Sequence, residues 1–457
     1  MDAPSYQQLL GENQQLREQI ALLQETVRAL QQRLDEAERS AKRQAAPFAK
    51  GQPKKNPKKP GRKPGEQHGR HAHREPPSPA QVDEILDAPL PEHCPDCGGG
   101  IVEDQRAQQF QTEIPRRPIV RQFDIHCGHC QQCGKQLRGR HPLQTSTATG
   151  AARSQLGADA QAAVVYLNKH AGLSHGKIAD TFAKFFGITL TRGACAQIVL
   201  RAGHVLQPVY EQLQERLQSS AHLTPDETGW RIGGHPAWLH AWVGDDGATL
   251  YAIDPQRSAD VLEDVIGRDW SGSMTHDGFS SYERFEDAAH QQCVDHALRR
   301  ARGLVDKHTG AAKIFPQQVI DLLTQALQLR EHFDAENAAE DRRGAAYEDY
   351  VDRLRAVTER PRRNEANARF AKHLAKHAGS WFLFLVDPTV PATNHRAEQA
   401  LKTPIVNRKV WGGNRTDAGG EAQVVIGSVL QTCKNKAIDA FTYFSNAFRG
   451  VLGNLFA

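Results

Sequence analysis

Three acidic residues stand out by their surroundings: Asp226 in HLTPDETGWRI, Asp277 in SMTHDGFSSY and Glu398 in TNHRAEQAL. The first two each close a short apolar run that reads as a strand. The glycine beside each predicts that the strand stops there and opens toward a ligand. Glu398 falls just inside a helix start, with Thr393 as the expected N-cap and Asn394 four residues earlier on the same helical face. Carboxylates suit Mg²⁺, a hard ion that keeps several waters and needs only one or two such ligands. Two ions about 3.5–4 Å apart can clamp the attacking and leaving oxygens of a phosphoryl transfer. Asp226 is expected to bridge both ions, Asp277 to bind one and Glu398 the other. The chain has 53 acidic residues, so spacing alone does not select these three. Their contexts do.

Such a trio needs a scaffold that gathers it. From about His222 the pattern is of strands, HLTPDETGWRI, AWLHAWVGD and TLYAID, with GDDGA turning the last two into a hairpin. A helix follows in SADVLEDVIG, then the strand ending at Asp277, a short helix, a strand around HQQCVDH and a helix from Ala297. This order predicts an RNase H-like core over 215–309 and 391–415. The separation of 121 positions from Asp277 to Glu398 exceeds what that core needs, and 310–390 reads as an all-α insertion that returns Glu398 to the aspartates. The rest, 416–457, reads as a C-terminal helical segment packed on the core. The expected class is multidomain α+β.

DETGWRI, THDGFSSY, CVDHALRRAR, TNHRAEQALKTPIVNRKVW and QTCKNKAIDAFTYF, in that order, resemble transposases of the insertion sequence 66 family, which are DDE enzymes. The resemblance runs from about Cys94 to the C-terminus. It implies Asp226, Asp277 and Glu398 as a Mg²⁺- or Mn²⁺-binding triad, transposon ends and target DNA as substrates, and accessory proteins of the same element as partners. His395 stands where the family often has a second Asn, and WGGNRTDAGGEAQ is atypical of it. The expected activity is cleavage at transposon ends and 3′-OH strand transfer into target DNA. Two other functions fit parts of the sequence: a non-catalytic DNA-binding regulator, and a stand-alone nuclease that cuts without joining.

At 457 residues the chain is long enough for about three or four domains. It has no run of 18 apolar residues and no basic-then-apolar leader, so neither a membrane span nor secretion is expected, and a cytoplasmic, nucleoid-associated location is. From Lys42 to Arg74 there are eleven Lys and Arg against one acid, Glu66, which makes this stretch about +10 and the remainder about −6 for a net +4. This Pro-, Gly- and Lys-rich linker, 41–80, cannot bury enough apolar surface to fold alone. Its Lys54, Lys55, Lys58, Lys59, Arg62 and Lys63 are expected to neutralise DNA phosphates without reading sequence.

Residues 1–40 carry five heptads. Position a holds Tyr6, Asn13, Ile20, Val27 and Leu34; position d holds Leu9, Leu16, Leu23, Leu30 and Ala37. β-Branched a residues with Leu at d predict a parallel homodimer through residues 6–37, its register fixed by Asn13. In 81–145, HCPDCGG and CGHCQQCGK supply Cys94, Cys97, Cys130 and Cys133, a four-thiolate set for structural zinc. Cys127 with Cys130 is a competing second pair, and an iron–sulfur cluster a competing group. Residues 150–210 read as helices with a possible helix-turn-helix, its recognition helix from Thr191 to Arg201.

Five further residues are DNA-contact candidates: Arg299 and Arg300, Asn394 (which could instead orient Glu398), and Arg408 and Lys409. Cys293 and His296 have CxxH spacing and could form half of a second metal site. Trp230, Trp238 and Trp242, with Cys195 and Cys433, read as core.

Overall fold

A computed structural model describes residues 6–42, 76–112, 114, 118–148, 155–258 and 260–456. The basic tract with Lys54, Lys55, Lys58, Lys59, Arg62 and Lys63 lies outside the described residues. The architecture is α+β. Helix α1 (Tyr6–Lys42) is continuous, and along it Leu16, Ile20, Leu23, Val27 and Leu30 are each more than half exposed. Strands β1 (Cys127–His129) and β2 (Gln136–Arg138) pair antiparallel, Gly128 opposite Leu137.

Three helices precede the main sheet: α2 (Ala158–Lys169), α3 (His175–Phe186) and α4 (Arg192–Gln218). Helix α3 begins where Ser174 accepts the Lys177 N–H and ends at Gly187, which takes the left-handed conformation at φ 65°. Thr191 caps α4 by accepting the Ala194 N–H. Helix α4 does not end near Arg201 but continues to Gln218. The reason is its apolar stripe: Cys195, Ile198, Val199, Ala202, Leu206, Val209, Leu213 and Leu217 recur every three or four residues, and all are buried. That burial outweighs the helix penalties of Gly203 and Pro208, and Pro208 sits on the exposed side.

The sheet comprises β3 (His222–Ile232), β4 (His235–Gly244), β5 (Thr249–Asp254), β6 (Ser273–His276) and β7 (Ala289–Gln292), in the order β5-β4-β3-β6-β7. β3, β4 and β5 are antiparallel neighbours; β6 runs parallel to β3, and β7 parallel to β6. Helix α5 (Asp260–Ile266) crosses between β5 and β6. β3 does not stop at Asp226, as its Gly neighbour suggested. It pairs with β4 as far as Ile232, Asp226 opposite Ala241, and turns only at Gly233 and Gly234. On its other side, the ladder with β6 covers His222↔Ser273 and Leu223↔Met274 and then ends.

Alternation divides the sheet into two packed faces. Leu223, Trp242, Leu250 and Met274 join one apolar cluster with α2, α4, α5 and the later helices α12 (Asp417–Asn435) and α13 (Ala440–Phe448). The boundary expected near residue 210 therefore does not coincide with a break in packing. Where α4 crosses α12, a Cβ on Gly203 would lie 2.9 Å from the Cα of Ala422, so only a hydrogen there lets the helices approach. On the opposite face, Trp230, Leu239, Ala241 and Tyr251 pack on Ala397, Ala400 and Leu401 of α11 (His395–Trp411). Between β7 and α11 run α6 (Val294–Lys307), α7 (Ile314–Glu336), α8 (Glu340–Glu359), α9 (Glu365–Lys376) and α10 (Leu383–Val386), which bury a second cluster from Val294 to Leu385. Arg330 on α7 donates to the carbonyls of Phe384, Pro388 and Val390 and so pins the segment leading back to α11. Among the described residues, no helix is long and apolar enough to cross a membrane.

Candidate active site

Asp226 and Asp277 occupy equivalent places on neighbouring parallel strands. Each stands three residues beyond the last shared rung, Leu223↔Met274. Asp226 sits on the face of β3 that receives α11, and its Oδ1 accepts the N–H of Glu227 at 2.9 Å. Asp277 leaves the end of β6, and its Oδ1 accepts the N–H of Phe279 at 3.0 Å. Gly278 makes this turn at φ 86°, and a Cβ there would come within 2.8 Å of Gln292 Oε1. Glu398 enters from the first turn of α11, whose N-cap residue is Asn394 rather than Thr393.

The three carboxylates share one field. Burial pushes the Asp226 carboxyl up to about 7, and the negative charges of Glu227, Asp277 and Glu398 push in the same direction. An electrostatic cost of this kind is one that a bound cation relieves. The donor set is all oxygen, as Mg²⁺ prefers. Among the described residues, no three His, Cys, Asp or Glu side chains come together closely enough to hold a single ion. Mg²⁺ sites completed by substrate phosphates and water use one or two carboxylates per ion, so the arrangement fits that kind of site rather than an all-protein cage.

Basic side chains already lie against Glu398. Arg299 Nη2 lies 3.0 Å from its Oε1 and 2.9 Å from Asp295, and His296 Nε2 is 3.7 Å from the same Glu398 oxygen. Asn394 is fully buried. Its N–H donates to Cys293 Sγ at 3.4 Å, its carbonyl accepts the Glu398 N–H at 3.2 Å, and both side-chain polar atoms are buried without a hydrogen-bond partner. With no exposed surface, the Asn394 side chain is not placed to contact DNA, which leaves the orienting of Glu398 through the helix start as the alternative. Among the described residues, Cys293 and His296 are not joined by further ligands into a metal-binding group. The thiol is buried against the Asn394 backbone, and the imidazole faces Glu398.

Arg408 Nη1 donates to Thr228 Oγ1 at 3.4 Å, two residues along β3 from Asp226, while Lys409 is exposed. Burial holds the Arg408 guanidinium below its usual value. Arg300 is exposed as a residue, but its guanidinium lies 4.7 Å over the Phe370 ring. Trp230 and Trp242 are buried and Trp238 is half-buried, so none of the three stands open as a surface on which a base could stack. Cys195 and Cys433 are buried in the core.

Sequence reasoning missed Glu227, Arg257 and Tyr282. The Glu227 side chain is 1% exposed and pairs with Arg257, and Tyr282 donates to it at 2.6 Å. Burial raises its carboxyl above the ordinary range.

The two CxxC turns are alike in detail. The N–H of Cys94 donates to the carbonyl of Gly99 and that of Cys130 to the carbonyl of Lys135, both at 2.9 Å. The N–H groups of Gly98 and Gly134 return to the two cysteine carbonyls at 2.8 and 2.9 Å. The backbone N–H of Cys97 holds the Cys94 thiol below its usual value, helped by the N–H of Asp96, and Cys133 and Gln132 do the same for Cys130. That field favours thiolates, the form that binds zinc. Cys127 lies in β1, outside this turn, with its Sγ 3.7 Å from the Ile125 carbonyl.

Comparison with known proteins adds a second line. The family model described as Transposase IS66 family matches residues 153–422. Two curated relatives come from Sinorhizobium fredii (strain NBRC 101917 / NGR234). Uncharacterized protein y4qI is 22% identical over 400 residues, covering 80% of this chain and 71% of its own. Uncharacterized protein y4hP is 22% identical over 391 residues, covering 76% and 68%.

Proposed function

We propose, from the premise that this chain belongs to the IS66 family of transposases, that it cuts DNA at transposon ends and joins the freed 3′-OH to target DNA at one carboxylate site. The observation that supports this reading is that the charges of Asp277, at the end of β6, and Glu398, on α11, both raise the carboxyl of Asp226 on β3, although the three do not by themselves close a site around one ion. The strand order, with three antiparallel strands followed by two parallel ones, supports an RNase H-like core.

In this reading Asp226, Asp277 and Glu398 are the residues that would hold the two Mg²⁺ or Mn²⁺ ions, Asp226 between the other two. Bound metal supplies a more acidic water and stabilises the charge on the leaving oxygen. In the first reaction a water oxygen forms a bond to phosphorus and the 3′-oxygen of the element end departs. In the second that 3′-oxygen bonds to a target phosphorus and a target 3′-oxygen departs. Neither step needs a covalent bond to protein. Arg299, released from Glu398, and Arg408 beside Thr228 are the cations placed to meet phosphate oxygens, with Lys409 and Arg300 at the margin.

The N-terminal parts serve assembly and DNA capture. The exposed Leu16, Ile20, Leu23, Val27 and Leu30 of α1 support a parallel homodimer. Each matched turn, Cys94/Cys97 and Cys130/Cys133, offers a thiolate pair of the kind structural zinc uses, and a zinc held by all four would have to draw the two pairs together, since they are not gathered around one point here. The basic tract supports sequence-independent DNA contact.

The test uses oligonucleotides from the element's own ends with target DNA, in Mg²⁺ or Mn²⁺. Joined product from pre-cleaved ends is expected, and Asp226→Ala should remove it while DNA binding persists. Cleavage without joining would replace this reading with a nuclease; tight binding with neither reaction would replace it with a regulator.

A further inference from the structure

We propose that Glu227, Arg257 and Tyr282 form a clamp that sets the spacing between Asp226 and Asp277, and that these three are positioning residues for metal capture. The proposal rests on the two-aspartate reading of the site given above.

Glu227 is the immediate neighbour of Asp226 and therefore projects from the opposite face of β3. Neither of its oxygens is free to bind metal. Oε1 accepts from Arg257, whose Nε lies at 2.5 Å, and Oε2 accepts from the Tyr282 hydroxyl at 2.6 Å. Arg257 belongs to the segment after β5. Tyr282 belongs to the 3₁₀ turn Ser280–Arg284 that follows Asp277 and is itself buried.

The Arg257 guanidinium carbon also lies 3.9 Å from the Phe279 ring centroid and 5.0 Å from that of Trp238. Phe279 in turn donates its N–H to Asp277 Oδ1. A closed path thus runs from the peptide of Asp226 through the Glu227 carboxylate to Tyr282 and Arg257, and through Phe279 to Asp277.

This path is needed because the backbone does not provide one. Ladder hydrogen bonds between β3 and β6 cease at Leu223↔Met274, three residues short of either aspartate. Past that rung the strands have no mutual register of their own. Two guanidinium nitrogens on Glu227 Oε1 and the Tyr282 hydroxyl on Oε2 fix the carboxylate from both sides, and stacking on the Phe279 ring fixes the guanidinium plane. Apolar contacts could fill the same volume without imposing a single spacing.

The experiment titrates Mn²⁺ into the full-length protein, following bound ion by electron paramagnetic resonance and melting by thermal shift. Tyr282→Phe and Arg257→Lys should fold and should raise the half-saturating Mn²⁺ concentration about tenfold, as loss of outer-shell partners does at other metal sites. Gly203→Ala, which crowds Ala422 at the α4–α12 crossing, is the control for general destabilisation: its melting temperature should fall while its half-saturation stays at the wild-type value. Half-saturation unchanged in both Tyr282→Phe and Arg257→Lys overturns the clamp. Should Tyr282→Phe fail to fold, Arg257→Lys decides by the same readout; if neither folds, the three residues act in folding, and the proposal is overturned as stated. Asp226→Asn separates the two levels of the argument. Wild-type binding that survives it means that the two-aspartate reading has failed, and the clamp's role with it.

Discussion

Arg299 holds Glu398 in an ion pair at 3.0 Å across 99 residues of sequence, with Asp295 sharing the same guanidinium. The pair ties the first turn of α11 to α6. It also places a positive charge on the carboxylate that is read as a metal ligand, so a metal ion must compete with Arg299 for that oxygen.

Arg299→Ala should therefore tighten metal binding. The arginine side chain is 55% exposed and Glu398 32%, so the pair is worth about 1 kcal/mol at most. The expected change is a fall of up to about fivefold in half-saturating Mn²⁺ for the free protein. DNA affinity should drop in the same variant, with a shallower salt dependence, if Arg299 passes from carboxylate to phosphate. Unchanged values in both titrations would contradict the exchange.

Asp226 should cost the metal-free protein stability. Its carboxyl is pushed up to about 7, above the unfolded value of about 3.9. A raised folded pKa contributes stability that is present below the unfolded pKa and is lost as pH rises through about 7. In a chelator, Asp226→Asn should melt several degrees higher than wild type at pH 8, with the gap closing toward pH 4. Strand transfer by this variant should be absent. A variant that melts at or below wild type at pH 8 would show that the carboxylates do not strain the fold.

His222 acts with the opposite sign. Burial pushes its imidazole down to about 4, against an unfolded value near 6.5, with Nδ1 2.8 Å from Ser273 Oγ. Stability from the neutral ring is present above pH 6.5 and is lost as pH falls toward 4. The fall from 6.5 to about 4 corresponds to roughly 3 kcal/mol. His222→Gln should be less stable than wild type at neutral pH and less sensitive to acid. Urea midpoints at pH 7.5 and 5 for both proteins measure this, and parallel shifts in the two would refute it.

Zinc content separates the cysteines. Cys133→Ser should lose zinc measured by mass spectrometry of the purified protein, whereas Cys127→Ser should retain it, because Cys127 lies in β1 and outside the repeated turn. The reverse result would move the second knuckle to Cys127 and Cys130.

Much of this was legible in residue patterns. The hairpin at GDDGA, the helix stop at Gly187 and the position of Asp277 at a strand end follow from local chemistry, which sequence displays directly. The misreadings have a common origin in distant contacts. Asp226 was placed at a strand end because Gly229 looked like a stop, yet β4 supplies partners as far as Ile232. The recognition helix expected to span Thr191 to Arg201 is only the first part of α4, because the apolar stripe that extends it packs on α12, where Gly203 allows the close approach. Glu227 was passed over as the neighbour of a better candidate. Its partners lie 30 and 55 residues away, on a loop and a turn that no periodicity links to β3.

The two-rung ladder between β3 and β6 has a mechanical meaning. The strands separate beyond it like the prongs of a tuning fork, with one aspartate on each prong. How far apart the tips stand depends on the twist at the root and on the brace between them, not on rotamers. A change in the bend of this sheet would therefore alter the distance between the two acids without touching either.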